Sequence, residues 1–402
     1  MLFGIVIALL AGVLVGTLTG FFPGIHINLV AAMLLASIGY FSGVEPVFLV
    51  VFIVAMAITH TFIDFIPSIF LGAPEEDSFL AVLPGHQLLI NGKGFEAIVM
   101  TLYGGLVALP IILIFSFVYV WFLPEVYDFV RIAIPYLLIL GSLYLVLAEE
   151  EWILSGMVFV LAGFLGMFVF SLPVKDPLLP LLTGLFGVSG LIVSLKTKVQ
   201  IPKQEIMKLK EIKLSRKDFF MSTISGAFAA AVCSFFPGIG SGHAAVIGSE
   251  LNGSIKENQK SFLFLVGMIN TIMMALSFVT IYAIGKTRSG AAVAVSELLN
   301  EMVISDLVVI VVVILVSGLL AFFVGLQLAK IFSSRISKIN YRALSWFVIV
   351  LLVVVNLFLT NLFGLLVLVT ASALGVFCIQ SGVRRIQLMG VLLVPTILYY
   401  LF

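Results

Sequence analysis

A five-residue segment, Phe-Phe-Pro-Gly-Ile, occurs at residues 21–25 and again, unchanged, at residues 235–239, each time after an apolar run. Proline removes a backbone donor and glycine tolerates positive φ, so each Pro-Gly pair predicts a break in a helix. Within a bilayer, an irregular backbone persists only where protein buries it or water reaches it. The duplication therefore predicts two Pro-Gly-broken helices or re-entrant hairpins beside a cavity, one in each half of the chain.

The composition places this pattern in a membrane. Of the 402 residues, 62% are hydrophobic and 10% are charged, which is too little charge to cover a soluble globule of this size. Most of the chain consists of apolar runs long enough to approach a membrane span, separated by short polar joints. We therefore predict an all-α polytopic membrane protein that works without a cofactor.

Several other classes of protein are disfavoured. The formal net charge of +1 gives no reason to expect a nucleic-acid partner. Cys233 and Cys378 lie in apolar runs without motif spacing, which indicates neither a disulfide framework nor a metal site. No Walker motif is present, which argues against direct coupling to ATP.

The order of segments is the same in both halves. Each half has an apolar run that ends at a Pro-Gly pair, then a polar interruption and four plain apolar runs. We predict a first membrane repeat at residues 1–195, a basic cytoplasmic linker at 196–217 and a second membrane repeat at 218–402. Counting spans from the linker puts Lys93 inside and residues 297–301 outside, so the repeats have inverted topology and the N-terminus lies outside.

Helix breaks can present several backbone amides to one anion. A kink that serves only helix packing is the alternative, and the duplication of the segment favours binding. Lys286 and Arg288, near the second polar loop, add positive charge for an anion, although both are also compatible with an ordinary outside loop. The predicted substrate-binding residues are Pro23, Gly24, Ile25, His26, Asn28, Pro237, Gly238, Gly240, Ser241, Gly242, Lys286 and Arg288.

Polar residues within the apolar runs form a second set of candidates. His60 precedes Asp64 by four residues, which places a carboxylate and an imidazole on one helical face, where they can carry a proton or bind a cation. The alternative is a loop wetted by the cavity. The predicted coupling or intramembrane polar residues are His60, Thr61, Asp64, Gly72, Pro74, His243, Asn270 and Thr271.

Three further motifs follow the first break: Ser-Ile-Phe-Leu-Gly-Ala-Pro at residues 68–74, Leu-Pro-Gly-His-Gln-Leu at 83–88 and Gly-Lys-Gly at 92–94. With the two breaks, they resemble the large membrane subunit of tripartite tricarboxylate transporters, the TctA family. His26 and Glu75 stand where that family has glycines, so the resemblance does not extend to tricarboxylate specificity. It implies an organic-anion substrate, a small membrane subunit and an extracytoplasmic binding protein as partners.

The sequence thus favours a multi-pass secondary transporter in the cell membrane, surrounded by lipid. It would move a small organic anion, similar to a di- or tricarboxylate, through an alternating-access site at the two breaks with coupling to H⁺ or Na⁺. A flippase or carrier of a lipid-linked anion such as polyprenyl phosphate is the alternative. An intramembrane enzyme is disfavoured, because no Ser/His/Asp set and no HExxH motif stands at recognisable spacing.

Overall fold

The computed structural model describes residues 1–22, 27, 30–31, 34, 43–71, 78–147, 149–174, 177–197, 201–236, 240–252, 258–338 and 341–401. All regular elements within these ranges are helices. Seven of the described helices are long and apolar enough to cross a membrane. The prediction of an all-α polytopic membrane protein is confirmed.

The first half contains eight described helices, and a π-helical turn at Thr183–Val188 joins the last two. They are α1 (Leu2–Phe21), α2 (Pro46–Ile63), α3 (Phe65–Leu71), α4 (Phe79–Ile90), α5 (Gly94–Leu147), α6 (Trp152–Phe170), α7 (Leu178–Leu182) and α8 (Ser189–Thr197).

The second half contains seven described α-helices and two short 3₁₀ helices, at Ile336–Lys338 and Arg385–Met389. The α-helices are α9 (Arg216–Cys233), α10 (Ser241–Leu251), α11 (Gln259–Ile284), α12 (Gly290–Leu299), α13 (Ile304–Arg335), α14 (Tyr341–Gln380) and α15 (Gly390–Leu401). Asn361 interrupts α14 with a positive φ of 75°. Its side-chain oxygen accepts hydrogen bonds from the Phe363 and Gly364 amides at 2.9 and 3.3 Å, so it caps the helix that follows the kink.

The helices α2 and α11 occupy the centre of the protein. We compared the buried fraction of the most apolar 18-residue window in each candidate span. That fraction is 78% for the continuous span of α2 and α3 and 94% for α11, whereas it is 28–50% for the other spans. Each central helix packs on a helix of its own half and on one from the other half: α2 contacts α1 and α13, whereas α11 contacts α9 and α5. The two halves therefore share one core, and α2 and α11 also contact each other within it.

Glycines allow these central helices to approach their neighbours closely. A methyl group at Gly16 of α1 would overlap the Met56 carbonyl oxygen of α2, and one at Gly267 of α11 would overlap the Thr101 carbonyl oxygen of α5. Small residues at such positions let helix backbones approach within a membrane. The α1–α2 and α5–α11 pairs are built in the same way.

The linker packs against one end of the bundle, which we call the linker face. The Gln204 side-chain oxygen accepts a hydrogen bond from the Gly94 amide at 2.7 Å, where α5 begins. At the same end, Lys260 at the start of α11 forms an ion pair with Glu96, with 2.5 Å between Nζ and Oε1. Both α5 and α11 therefore begin at the linker face.

The helices on either side of the second break form a hairpin. α9 and α10 pack against each other. At the open end of the hairpin, Asn258 donates a hydrogen bond to the Asp218 carboxylate at 3.1 Å, and Asn252 donates to Ser222 at 3.5 Å. The hairpin therefore starts and finishes at the linker face and points its tip away from it.

The helix α1 runs the other way. The Phe21 ring, at its C-terminal end, lies 4.9 Å from the Phe332 ring of α13, which in turn lies 6.2 Å from the Phe70 ring. Phe70 borders Gly94, since a methyl group there would lie 2.9 Å from the Phe70 ring. α1 therefore ends at the linker face, where α9 begins.

The helix α5 bends back on itself. A straight helix of its 54 residues would be about 81 Å long, well over the thickness of a bilayer. Tyr119 in its middle lies at the hairpin tip beside Phe235, whereas Tyr144 donates a hydrogen bond to Glu250 at 3.0 Å, near the end of α10. Prolines are common causes of such bends. The prolines within α5 are Pro110, Pro124 and Pro135.

Candidate functional site

The central helices α2 and α11 place four polar side chains together, which we call the polar crossing: Thr61, Asp64, Asn270 and Thr271. The Asn270 amide donates a hydrogen bond to the Asp64 carboxylate at 3.1 Å, and the Thr61 and Thr271 hydroxyls lie 3.4 Å apart. All four residues are at most 2% exposed. The sequence singled out Thr61 and Asp64 in one polar interruption and Asn270 and Thr271 in another, and the structure brings the two pairs together from the two halves.

Asp64 lies at the junction between α2 and α3. Its amide donates to the His60 carbonyl at 3.0 Å, and its own carbonyl accepts from the Ser68 hydroxyl at 2.7 Å. The Ser68 hydroxyl also lies 2.6 Å from that of Ser78. A carboxylate this deeply buried is costly within a membrane. The position therefore suits a group that takes up a proton or a cation.

The first break begins beside Asp64. Gly20, which directly precedes the first copy of the repeated segment, lies so close to α2 that a methyl group there would be 3.2 Å from the Asp64 nitrogen. The neighbouring Thr19 hydroxyl lies 3.0 Å from Nδ1 of His60. Sequence analysis did not select Thr19. Its position two residues before the repeated segment was the only feature that could have marked it as a candidate.

A tyrosine from the other half contacts the end of α9, just before the second copy of the repeated segment. The Tyr119 hydroxyl of α5 donates a hydrogen bond to the Ala231 carbonyl and also contacts the Ser234 hydroxyl. Its ring lies 6.0 Å from the ring of Phe235, the first residue of the second copy. Sequence analysis missed Tyr119, because nothing in its local sequence distinguishes it from the other aromatic residues of the long apolar run.

Three residues predicted near the second break lie in the first turn of α10, with Gly240 immediately before it. Ser241, Gly242 and His243 are all buried. The Gly240 amide donates to Nδ1 of His243 at 3.1 Å, and Nε2 of His243 is buried without a hydrogen-bond partner among the described residues. The amides of a first helical turn lack intrahelical partners and favour negative charge. The arrangement is therefore compatible with an anion, and its role in binding stays a prediction.

Lys286 and Arg288 lie apart from the polar crossing. They line a cavity of about 560 Å³ at the hairpin tip, which we call the tip cavity. Arg288 is within electrostatic range of Tyr119, Cys233 and His243. The other lining residues are Tyr127, Phe170, Phe235, Thr280, Ile284, Thr287, Pro395, Thr396, Tyr399 and Tyr400.

Nine of the predicted residues lie outside the described residues: Pro23, Gly24, Ile25, His26, Asn28, Gly72, Pro74, Pro237 and Gly238. Their roles stay predictions. Within the described part of the chain, no group of three or more His, Cys, Asp or Glu residues is placed to hold a metal ion.

Comparisons with known proteins found a family and a relative of this chain. The family model described as "Tripartite tricarboxylate transporter TctA family" matches residues 6–390. A protein of Methanocaldococcus jannaschii described as "Uncharacterized protein MJ1079" is 32% identical over 412 residues, which cover 98% of each chain. No solved structure matches the chain. The extent of the family match leads to one conclusion: the chain belongs to the tripartite tricarboxylate transporter TctA family.

Proposed function

We propose that this protein is the membrane subunit of a secondary transporter that moves a small di- or tricarboxylate-like anion. Transport would be driven by an H⁺ or Na⁺ gradient. The polar crossing is the observation that carries the proposal: Asp64 of the first half and Asn270 of the second meet in the core of the bundle. Buried ionisable groups in membrane helices commonly mark ion pathways. Family membership supports transport, partner subunits and an anionic substrate.

The polar crossing supplies the coupling site in this proposal. The Asp64 carboxylate, the Thr61 and Thr271 hydroxyls and the Asn270 side chain together offer oxygen atoms from both halves. Oxygen ligands suit a hard cation such as Na⁺, and a buried carboxylate alternatively carries H⁺. A cation bound there would be held by oxygen atoms of both halves, so its binding would stabilise the contact between them.

Inverted repeats at residues 1–195 and 218–402, joined by the linker at 196–217, would let this site open alternately to each side. The opposite directions of α1 and the second hairpin support this arrangement. We propose that the linker face is the cytoplasmic face of the cell membrane. Single cysteines at Lys93 and Glu297 test the topology: an impermeant maleimide should label them from opposite sides, and labelling of both from one side contradicts the inverted repeat.

The transport proposal is tested with the full chain and its partner subunits in proteoliposomes. Labelled citrate should accumulate when an inward Na⁺ or H⁺ gradient is imposed, and accumulation should cease when an ionophore collapses that gradient. Citrate uptake that is independent of both gradients would contradict the proposed coupling. Movement of a polyprenyl phosphate between leaflets, without citrate uptake, would instead support the lipid-linked alternative.

A further inference from the structure

We propose that the tip cavity is a capture site for anions that carry at least two carboxylates, separate from the polar crossing and open on the face opposite the linker. This inference rests on the proposed transport function and adds the location and selectivity of the first binding step. The tip cavity lies between the tip of the second hairpin, the end of α11 and the end of α15.

The chemistry of the lining favours a polyvalent carboxylate. Lys286 and Arg288 supply two positive charges, and none of the described lining residues is acidic. A guanidinium binds a carboxylate through two parallel hydrogen bonds, whereas an ammonium acts as a compact point charge. Two cations in one cavity therefore select anions with two or more carboxylates over monocarboxylates. The lining residues with hydroxyl groups are Tyr127, Thr280, Thr287, Thr396, Tyr399 and Tyr400.

The size and walls of the cavity are those of a small-molecule site. Its volume of about 560 Å³ lies within the range of about 300–1,000 Å³ that is common for ligand pockets. Its apolar lining includes Phe170, Phe235 and Ile284, which reduce the solvent screening of the half-buried Arg288. Since Phe235 is the first residue of the second repeated segment, an anion in the cavity adjoins the start of that segment.

The tip cavity and the polar crossing are separate along α11. Thr280 lines the cavity and follows Asn270 by ten residues, which corresponds to about 15 Å of helix. An anion held by Arg288 is therefore too distant to contact Asp64 directly, and this separation keeps like charges apart. α11 begins at the linker face with Lys260 and ends beside the cavity with Ile284, so the cavity lies at the opposite face.

Protection of an introduced cysteine tests the capture site without relying on transport. Thr287→Cys places a thiol at an exposed position of the cavity lining, and the native Cys233 and Cys378 are buried. The probe is citrate, added from the face opposite the linker to the full chain in liposomes. Citrate should slow the reaction of Thr287→Cys with an impermeant maleimide, whereas acetate at equal ionic strength should not.

Arg288→Gln in the Thr287→Cys background should raise the citrate concentration for half-protection by about tenfold, because a charge-assisted hydrogen bond is lost. Arg335→Gln, at the end of α13 near the linker face, is the matched control and should leave protection unchanged. A cysteine at Glu297, which is exposed and does not line the cavity, should show no protection by citrate. Thr396→Cys provides a second reporter if Thr287→Cys lowers the melting temperature.

The outcomes distinguish this inference from the transport proposal. Protection that is equal in the Arg288→Gln variant and its parent, or equal for acetate and citrate, overturns the capture site even if citrate uptake is normal. If citrate protection depends on Arg288 but no gradient-driven citrate uptake is found, the capture site is supported and the proposed transport function is contradicted. Absence of citrate protection in both reporter variants, with normal uptake, also overturns the capture site.

Discussion

The two copies of the Phe-Phe-Pro-Gly-Ile segment have the same sequence and different surroundings. The first copy begins against α2 beside Asp64, and its Phe21 packs on Phe332 of α13. The second begins where Tyr119 of α5 binds the end of α9, and its Phe235 lines the tip cavity with Arg288. The start of the duplicated segment thus lies next to an acidic residue in one half and next to a cation in the other.

The long helices of the opposite halves explain how this difference arises. Each copy is contacted at its first phenylalanine by an aromatic residue of the other half, Phe332 for Phe21 and Tyr119 for Phe235. Only Tyr119 has a hydroxyl, so only the second contact includes hydrogen bonds to the helix before the break. We therefore expect the first copy of the segment to serve the coupling cation and the second copy to serve the anion.

The largest effect is expected from Asp64→Asn, which removes the charge at the polar crossing and nearly preserves its shape. We expect gradient-driven citrate uptake to fall at least about tenfold, which corresponds to ~1.4 kcal/mol lost at the ion site. Asp218→Asn is the matched control, because Asp218 also accepts a hydrogen bond from an asparagine, at the open end of the hairpin. Equal uptake by the two variants would remove Asp64 from coupling.

The next effect concerns the glycines of the two breaks. Gly24→Ala and Gly238→Ala should each reduce uptake by about fivefold with little change in melting temperature, if the missing side chains allow close approach of the backbone to a ligand. If the two breaks divide the work, Gly24→Ala alters the cation dependence of uptake and Gly238→Ala alters its citrate KM. A loss of thermal stability with normal binding by the folded fraction would identify the breaks as packing devices.

The α1–α2 and α5–α11 helix pairs should lose similar stability when a glycine at their contact is replaced. Gly16→Ala and Gly267→Ala each push a methyl group into a neighbouring backbone carbonyl, so both should lower the free energy of unfolding by about 1–3 kcal/mol. Gly141→Ala is the control, since nothing lies within 4 Å of the added methyl group. Melting in detergent measures all three. A large effect in only one half would show that the two helix pairs are not equivalent.

The smallest effect is expected from Tyr119→Phe, which removes the hydroxyl at the second break and keeps the ring. The loss should be about 0.5–1.5 kcal/mol, with faster amide exchange at residues 231–236. Tyr103→Phe is the control in the same helix, because its hydroxyl bonds the exposed Leu209 carbonyl of the linker. Unchanged exchange in the Tyr119 variant would mean that the hydroxyl does not restrain the hairpin tip.

The sequence by itself determined that this is an all-helical membrane protein, because apolar length acts locally. It predicted a helix break at each Pro-Gly pair on the same local grounds. It also identified Asp64, Asn270, Lys286 and Arg288 as candidates, since polar residues in or beside apolar runs are conspicuous. Only the tertiary structure decided which of them meet. Asp64 and Asn270 lie 206 positions apart and form a pair only because the two central helices cross.

Tertiary packing is also the reason that sequence analysis missed two residues. Tyr119 and Thr19 are ordinary residues of apolar helices until packing sets one beside the end of α9 and the other beside His60. The sequence also did not show that Arg288 lies far from Asp64. That distance depends on the positions along α11 that the two residues adjoin, which are Thr280 for the cavity of Arg288 and Asn270 for Asp64. Local propensities specify helices and their breaks, whereas the choice of neighbours is a collective result of packing both halves into one core.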